Sequence, residues 1–300
     1  MFPESIKVQL LNYRFDSGFD PAEELSTAMP SEPLLESSRE GAKILVFDDP
    51  LSACSMAAER IAATIRNRAS DRRKTVLGLA TGSTPEPVYE RLVAIHKLES
   101  LSFENVVTYN LDEYYPISPF DRNSYRLYMH QKLFSLVDVR PESVHVLDGT
   151  IPEGFVQEAA AAYDRWIEAD GGIDLQLLGI GRNGHIGFNE PSDLTIERAI
   201  ELPTRRVSLH PTTIADAARS FGGEEKVIRG AITMGIKTIL AARSIVILAF
   251  GSSKENAVRE AILGPITPAV PASLLRTRKA ETTWLLDRAA ARSIVAELSR

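Results

Sequence analysis

Ile173-Asp-Leu-Gln-Leu-Leu178 runs directly into Gly179-Ile-Gly-Arg-Asn-Gly-His-Ile-Gly-Phe-Asn-Glu-Pro191, and the reading of this junction decides the fold. The apolar run predicts a strand. Gly179, Gly181, Gly184 and Gly187 then surround His185, with Asn183 before it and Glu190 after it. Glycines in this density mark backbone that turns sharply or approaches a ligand closely. A strand that opens into such a loop, carrying His and Glu, is how an open α/β sheet presents chemistry. A tight turn with an incidental histidine is the competing reading, and the rest of the chain weighs between them.

Working outward, apolar runs predict further strands at Ala42–Phe47, Thr75–Ala80, Val106–Asn110, Val144–Leu147, Ile245–Phe250 and Thr283–Leu286. Shorter ones are expected near Val207 and at Ile232–Met234. Between them lie helical patterns. Asp48-Asp49-Pro50 opens a helix that runs to about Arg68, with Ala53, Ala57, Ile61 and Ile65 on one face. Others are expected from Pro85 to Leu98, Arg122 to Leu136, Phe155 to Asp170, Thr212 to Arg219 and Lys254 to Leu263, with one more at the C-terminus. This alternation predicts an α/β fold: a doubly wound, Rossmann-like, mainly parallel sheet with helices on both faces. A single domain is expected over residues 41–300. Residues 1–40, broken by Asp16, Pro21, Pro30 and Pro33, read as a partly ordered N-terminal extension in which Ile6–Leu11 is a short strand or docking arm.

The composition excludes several classes. The chain has 300 residues, 44% of them hydrophobic and 25% charged, the balance of a globular protein. Its net charge of −6 argues against a nucleic-acid partner, so an anionic ligand must be held by a local site. One cysteine, Cys54, permits no intrachain disulfide; it lies in an Ala-rich helical pattern and is assigned to packing. No run approaches the length of a membrane span, and the N-terminus has no signal-peptide core; a cytoplasmic location is expected. The histidines His96, His130, His145, His185 and His210 show no metal-ligand spacing. Gly179-Ile-Gly-Arg-Asn-Gly184 fits a dinucleotide fingerprint, but the chain continues as His-Ile-Gly-Phe and not as a helix. No cofactor and no metal are expected.

Four strand ends carry polar sequence, and a parallel sheet brings such ends to one edge. Thr81-Gly82-Ser83-Thr84, between a strand and a helix, suits a phosphate, or serves as an ordinary helix cap. Gly251-Ser-Ser-Lys254 puts a cation at a helix start, against the helix dipole; a bound anion would resolve the conflict, and a solvated lysine is the alternative. Arg219 is a second candidate cation. Asp112 is either a turn residue or a base able to abstract a proton α to a carbonyl. His185 is a candidate base oriented by Glu190.

These stretches together resemble the glucosamine-6-phosphate deaminases (isomerising). Leu77–Pro85, Val106–Tyr114, Gly179–Pro191 and Gly251–Lys254 carry the likeness, with Ser124-Tyr125, Met129-His130 and Ala231–Gly235 in support. The resemblance spans roughly residues 75–287. It implies conversion of glucosamine 6-phosphate and water to fructose 6-phosphate and ammonia, a step of amino-sugar catabolism. His185, supported by Asn183 and Glu190, would open the sugar ring. Asp112 would carry the proton from C2 to C1. Gly82, Ser83, Thr84, Arg219 and Lys254 would hold the phosphate. The partner expected is this small phosphosugar, with no nucleic acid and no membrane, and with a homo-oligomer left open. Some family members carry Asp where this chain has Asn183; an amide cannot accept a proton, so Glu190 must supply the charge beside His185. The segment Leu194–Arg206 differs in length from members activated by N-acetylglucosamine 6-phosphate, and no allosteric control is predicted. The alternatives are a 6-phosphogluconolactonase or another phosphosugar isomerase on the same fold, or a non-catalytic sugar-phosphate sensor.

Overall fold

The computed structural model describes residues 31–278 and 281–298. The arm expected at Ile6–Leu11 lies outside the described residues. The chain begins with a hairpin, β1 (Leu35–Arg39) and β2 (Ala42–Phe47), whose turn places Glu40 and Gly41 at positive φ. Helix α1 (Pro50–Ser70) follows. Its start is encoded locally: Pro50 occupies the first turn, and the Asp49 carboxylate accepts from the Ser52 N–H at 2.9 Å, a cap worth about 1 kcal/mol. The chain continues through β3 (Thr75–Leu79), α2 (Glu86–Glu99), β4 (Val106–Asn110), β5 (Asp112–Tyr115), α3 (Tyr125–Met129), β6 (Val144–His145), α4 (Val156–Ala169) and β7 (Leu175–Gly179). Then come α5 (Ile196–Ala199), β8 (Arg205–Ser208), α6 (Pro211–Phe221), β9 (Gly230–Thr233), α7 (Ile236–Ala241), β10 (Ser244–Ala249) and α8 (Glu255–Ile262). The last elements are β11 (Glu281–Asp287), α9 (Arg288–Ala291) and α10 (Val295–Leu298).

An eight-stranded sheet forms the centre, in the order β1-β2-β11-β10-β7-β3-β4-β6. Every pair in it is parallel except β1 with β2. The mainly parallel α/β sheet read from the sequence is therefore the fold. Both faces are covered, so alternate residues of one strand enter opposite cores. Ile245 and Ile247 of β10 pack in one layer with α4 and α8; Val246 and Leu248 pack in the other with α1 and α2. Burial on both faces is why these strands read as continuous apolar runs. From β3 the chain builds outward to β4 and β6; from β7 it builds the other way to β10 and β11. The switch point falls between β3 and β7, where open α/β sheets form their ligand crevice.

Two of the expected strands, together with one at Asp112–Tyr115 that the sequence reading did not predict, form a second sheet. β5, β9 and β8 make a three-stranded antiparallel sheet, with β9 central. The strands read near Val207 and at Ile232–Met234 are thus outside the parallel sheet. The physical reason is in β8 itself, where Arg205-Arg206-Val207-Ser208 alternates between half-buried and exposed; a parallel strand is buried on both faces and cannot carry that pattern. Only Leu111 separates β4 from β5. Its N–H donates to the Leu79 carbonyl of the large sheet at 3.0 Å, and its carbonyl accepts from Met234 N–H, beside β9, at 2.6 Å. The helix expected over Arg122–Leu136 is also shorter. α3 ends at Met129 and the chain widens into a π-helical turn, His130–Phe134, closed by Ser135 N–H on the His130 carbonyl at 3.0 Å.

At the opposite end of the sheet from the crevice, Asp174 joins several elements. Its buried carboxylate accepts from Val76 N–H at 2.9 Å and pairs with Arg68 at 3.1 Å and Arg243 at 3.0 Å. Removing it leaves the buried Val76 N–H without its acceptor and the partly buried Arg68 cation without its counter-charge. Asp174→Ala is expected to lower unfolding stability by about 3 kcal/mol, read from urea denaturation.

Candidate active site

The C-terminal ends of β3, β4, β7 and β10 surround an open cleft of about 780 Å³. Thr81, Gly82, Ser83, Thr84, Asp112, His185, Arg219 and Lys254 all line it. Asn183 and Glu190 stand behind His185 and act on it by contact. The structure therefore gathers into one constellation every site residue expected from the sequence.

The histidine loop is shaped by its glycines. At Gly181 an added Cβ would lie 2.2 Å from the His185 ring, so the imidazole packs directly on backbone. Gly184 and Gly187 have positive φ. The loop is fixed on its far side by the small sheet: Thr233 Oγ1 accepts from Phe188 N–H at 3.0 Å, and the Asn189 amide donates to the Met234 carbonyl at 2.9 Å.

Behind the ring, Glu190 Oε2 lies 3.2 Å from His185 Nδ1. Asn183 Nδ2 donates to the same carboxylate at 3.0 Å, while Asn183 Oδ1 accepts from His185 N–H at 3.2 Å. Thr213 Oγ1 donates to Glu190 Oε1 at 2.6 Å and lies 3.3 Å from His185 Nδ1. A hydroxyl has one proton. Since Thr213 gives it to Glu190, it meets Nδ1 only as an acceptor. Both neighbours therefore call for a proton on Nδ1, which leaves Nε2 as the acceptor of the ring. Burial alone would raise the Glu190 pKa; its bond and charge interaction with His185, with help from Thr213 and Asn183, outweigh this and hold it at about 2. The amide at 183 thus braces the carboxylate, and Glu190 carries the charge.

Asp112 and Glu113 have separate tasks although they are adjacent. Strand geometry turns successive side chains to opposite sides. Glu113 points to the start of α3 and accepts from Ser124 Oγ at 2.7 Å and from the N–H groups of Tyr125 and Arg126 at 2.9 and 3.0 Å. It caps that helix. Asp112 faces the cleft, with Oδ2 3.4 Å from where a side chain on Gly187 would begin. Burial, with a smaller contribution from the Glu113 charge, pushes the Asp112 carboxyl up to about 8.

Cations occupy the other part of the cleft. Lys254 follows Gly251, whose N–H donates to Asp287. Burial pushes the Lys254 ammonium below its usual pKa; Asp216 opposes this and Arg182 adds to it. A bound anion would stabilise the charged form. Arg219 reaches the cleft from α6, which also carries Thr213 and Asp216. Arg182 and Asp216 form an ion pair, with Nε to Oδ2 at 3.0 Å, that ties α6 to the histidine loop. Among the described residues no group of three or more His, Cys, Asp or Glu side chains is placed to hold a metal ion. No helix among them is long and apolar enough to cross a membrane.

Sequence reasoning passed over Thr213 and Tyr128, and gave Tyr125, named only for its family likeness, no place in the site. Thr213, Asp216, Ala217 and Ser220 recur at helical spacing and all line the cleft. That mixed polar face of α6 was the available signal.

Fold and site define an α/β sugar-phosphate enzyme architecture. A model of the family of glucosamine-6-phosphate isomerases and 6-phosphogluconolactonases matches residues 48–284, and the chain belongs to this family. A glucosamine-6-phosphate deaminase of Rhodopirellula baltica is 46% identical over 235 residues, 78% of this chain and 90% of the relative. A solved monomeric glucosamine-6-phosphate deaminase of the NagB superfamily superposes with a TM-score of 0.77 at 38% identity, covering 83% of this chain and 98% of that one. A 6-phosphogluconolactonase of Trypanosoma brucei, with a TM-score of 0.68 over 84% of this chain and 98% of its own, is 20% identical and shares the fold.

The buried carboxyl of Asp112 makes a stability prediction. Its pKa is about 8 when folded against a usual 3.8. Between these values the unfolded chain is ionised while the folded chain still holds the proton. Stability is therefore lost as pH rises from about 4 to about 8. Asp112→Asn is expected to raise Tm relative to the parent at pH 8, with the difference vanishing near pH 4. Melting curves across this range check it.

Proposed function

We propose that this protein converts glucosamine 6-phosphate and water to fructose 6-phosphate and ammonia. The observation that carries the reading is a buried carboxyl, Asp112, sharing one cleft with a braced His185 and, further along, with Lys254, Arg219 and the Thr81–Thr84 loop. Family membership and the deaminase relatives support the same choice.

The phosphate lies on Gly82, Ser83 and Thr84, neutralised by Lys254 and Arg219. This fixes one end of the sugar and supplies binding energy remote from the reacting carbons. His185 Nε2 takes the proton of the C1 hydroxyl, and proton delivery to the ring oxygen completes opening to the aldehyde. The imidazolium formed is stabilised by Glu190, whose low pKa keeps it ionised. Asn183 holds that carboxylate in place. Asp112 removes the C2 proton and returns it at C1, while the C1 oxygen gains a proton and the amine nitrogen gives one up, turning the aldehyde into a primary alcohol and the C2 amine into an imine. Water adds to the imine carbon, and ammonia leaves as the ketone forms. A carboxylate stripped of water is a stronger base than one in solution, the advantage that burial gives Asp112. A phosphorylated sugar substrate and a single free cysteine fit a cytoplasmic enzyme.

Purified protein with glucosamine 6-phosphate is expected to release ammonia and fructose 6-phosphate in equal amounts. Hydrolysis of 6-phosphogluconolactone without ammonia release would move the assignment to the lactonase. The parent's kcat/KM is expected to rise with pH toward about 8, because the base must lose its proton. Asp112→Asn is expected to abolish exchange of the C2 proton with solvent, followed by NMR in deuterium oxide, while binding persists. Lys254→Ala removes a contact made equally before and during reaction; steady-state kinetics are expected to show KM raised tenfold or more, by about 1.4 kcal/mol, with kcat little changed.

A further inference from the structure

The loop between β3 and α2 is held from behind in a regular way. The Ala80 carbonyl accepts from the Tyr89 phenol of α2. The Gly82 carbonyl accepts from the Tyr128 phenol of α3 at 2.8 Å. The Thr84 carbonyl accepts from the Cys54 thiol of α1 at 3.7 Å, a weak sulfur bond. Alternate carbonyls of one loop are thus anchored by side chains from three different helices. Tyr89 is fully buried, and its ring meets the Tyr128 ring edge-on at 6.5 Å, so the two anchors also brace each other. Burial pushes the Cys54 thiol up to about 12, with Asp49 and Glu90 adding to the shift, so it remains a donor.

The consequence lies on the other side of the backbone. Among the described residues no acceptor lies on the N–H groups of residues 81–84. Along this loop the bound carbonyls point into the protein, and Gly82, at a φ of +99°, lets the chain turn between them. Such loops bind anions through their N–H groups, and their affinity depends on holding those groups convergent before the ligand arrives.

We infer that Tyr89 and Tyr128 are positioning residues for the phosphate: their phenols, aided by Cys54, orient the Thr81–Thr84 loop so that its N–H groups converge on the anion. This rests on the proposal above that the loop is the phosphate site. Neither hydroxyl needs to touch the sugar. The effect would therefore appear in phosphate affinity and KM, and not in the chemical step.

Inorganic phosphate is the probe, with binding measured by calorimetry and by the shift in Tm. Tyr128→Phe keeps the ring and removes only the donor. It is expected to weaken phosphate binding about fivefold and to raise KM for glucosamine 6-phosphate by a similar factor with kcat retained. Tyr89→Phe is expected to act in the same direction. Tyr115→Phe is the control for mere structural loss, because that phenol donates to the Ile151 carbonyl at 2.7 Å, away from the loop. It is expected to lower Tm without altering phosphate affinity. If Tyr128→Phe and Tyr89→Phe bind phosphate like the parent while Lys254→Ala does not, the positioning role is overturned and the phosphate site stands. If Lys254→Ala also binds like the parent, or the parent binds no phosphate at millimolar concentration, the phosphate reading falls and this inference falls with it.

Discussion

The site depends on the crossing of the backbone at Leu111. This residue gives its N–H to the large sheet and its carbonyl to Met234, just past the central strand of the small one. No loop is available to relax the junction, since β4 ends at Asn110 and β5 begins at Asp112. The next carboxylate is therefore placed at the seam between two sheets, where water is excluded on most sides. Its raised pKa follows from that position. The same seam receives the histidine loop, because Phe188 and Asn189 bond to Thr233 of the small sheet and to Met234 just past it. Asp112 and His185 are thus registered to one another through a shared backbone, not through a direct contact.

The cleft divides its electrostatics between two regions. On the histidine side, buried carboxyls are kept in opposite states: Asp112 has few polar neighbours and rises, whereas Glu190 has several donors and falls. Environments that drive like groups apart are the usual signature of separate acid–base tasks. The other region carries Lys254, Arg219 and free backbone N–H groups. The chain as a whole is acidic, at −6, so any attraction for an anion has to come from this local cluster and not from the overall field.

Helix α6 connects the two regions. Thr213 braces Glu190, Asp216 pairs with Arg182 of the histidine loop, and Arg219 reaches into the part of the cleft lined by Lys254 and the Thr81–Thr84 loop. The amide at 183 fits the same pattern. With Glu190 receiving donors from Asn183, Thr213 and the backbone of His210, the carboxylate needs no second acid beside it.

Much of this was legible in the residues alone. Period-two and period-3.6 patterns depend on neighbours a few positions apart, so the βα alternation, the start of α1 at Asp49-Pro50 and the glycine loops after β3 and β7 could be read directly. The parallel arrangement then brought His185, Asp112, Lys254 and the Thr81–Thr84 loop to one edge, because all follow strand C-termini. What only the tertiary structure decided involves partners far apart in sequence. The separate antiparallel sheet pairs Asp112–Tyr115 with Gly230–Thr233. Glu113 became a helix cap and its neighbour the buried carboxyl because β5 turns them to opposite sides. Thr213 gained its place by folding back over a residue twenty-three positions earlier. No local pattern encodes such pairings, since their free energy comes from water excluded and hydrogen bonds closed only once the sheets have met.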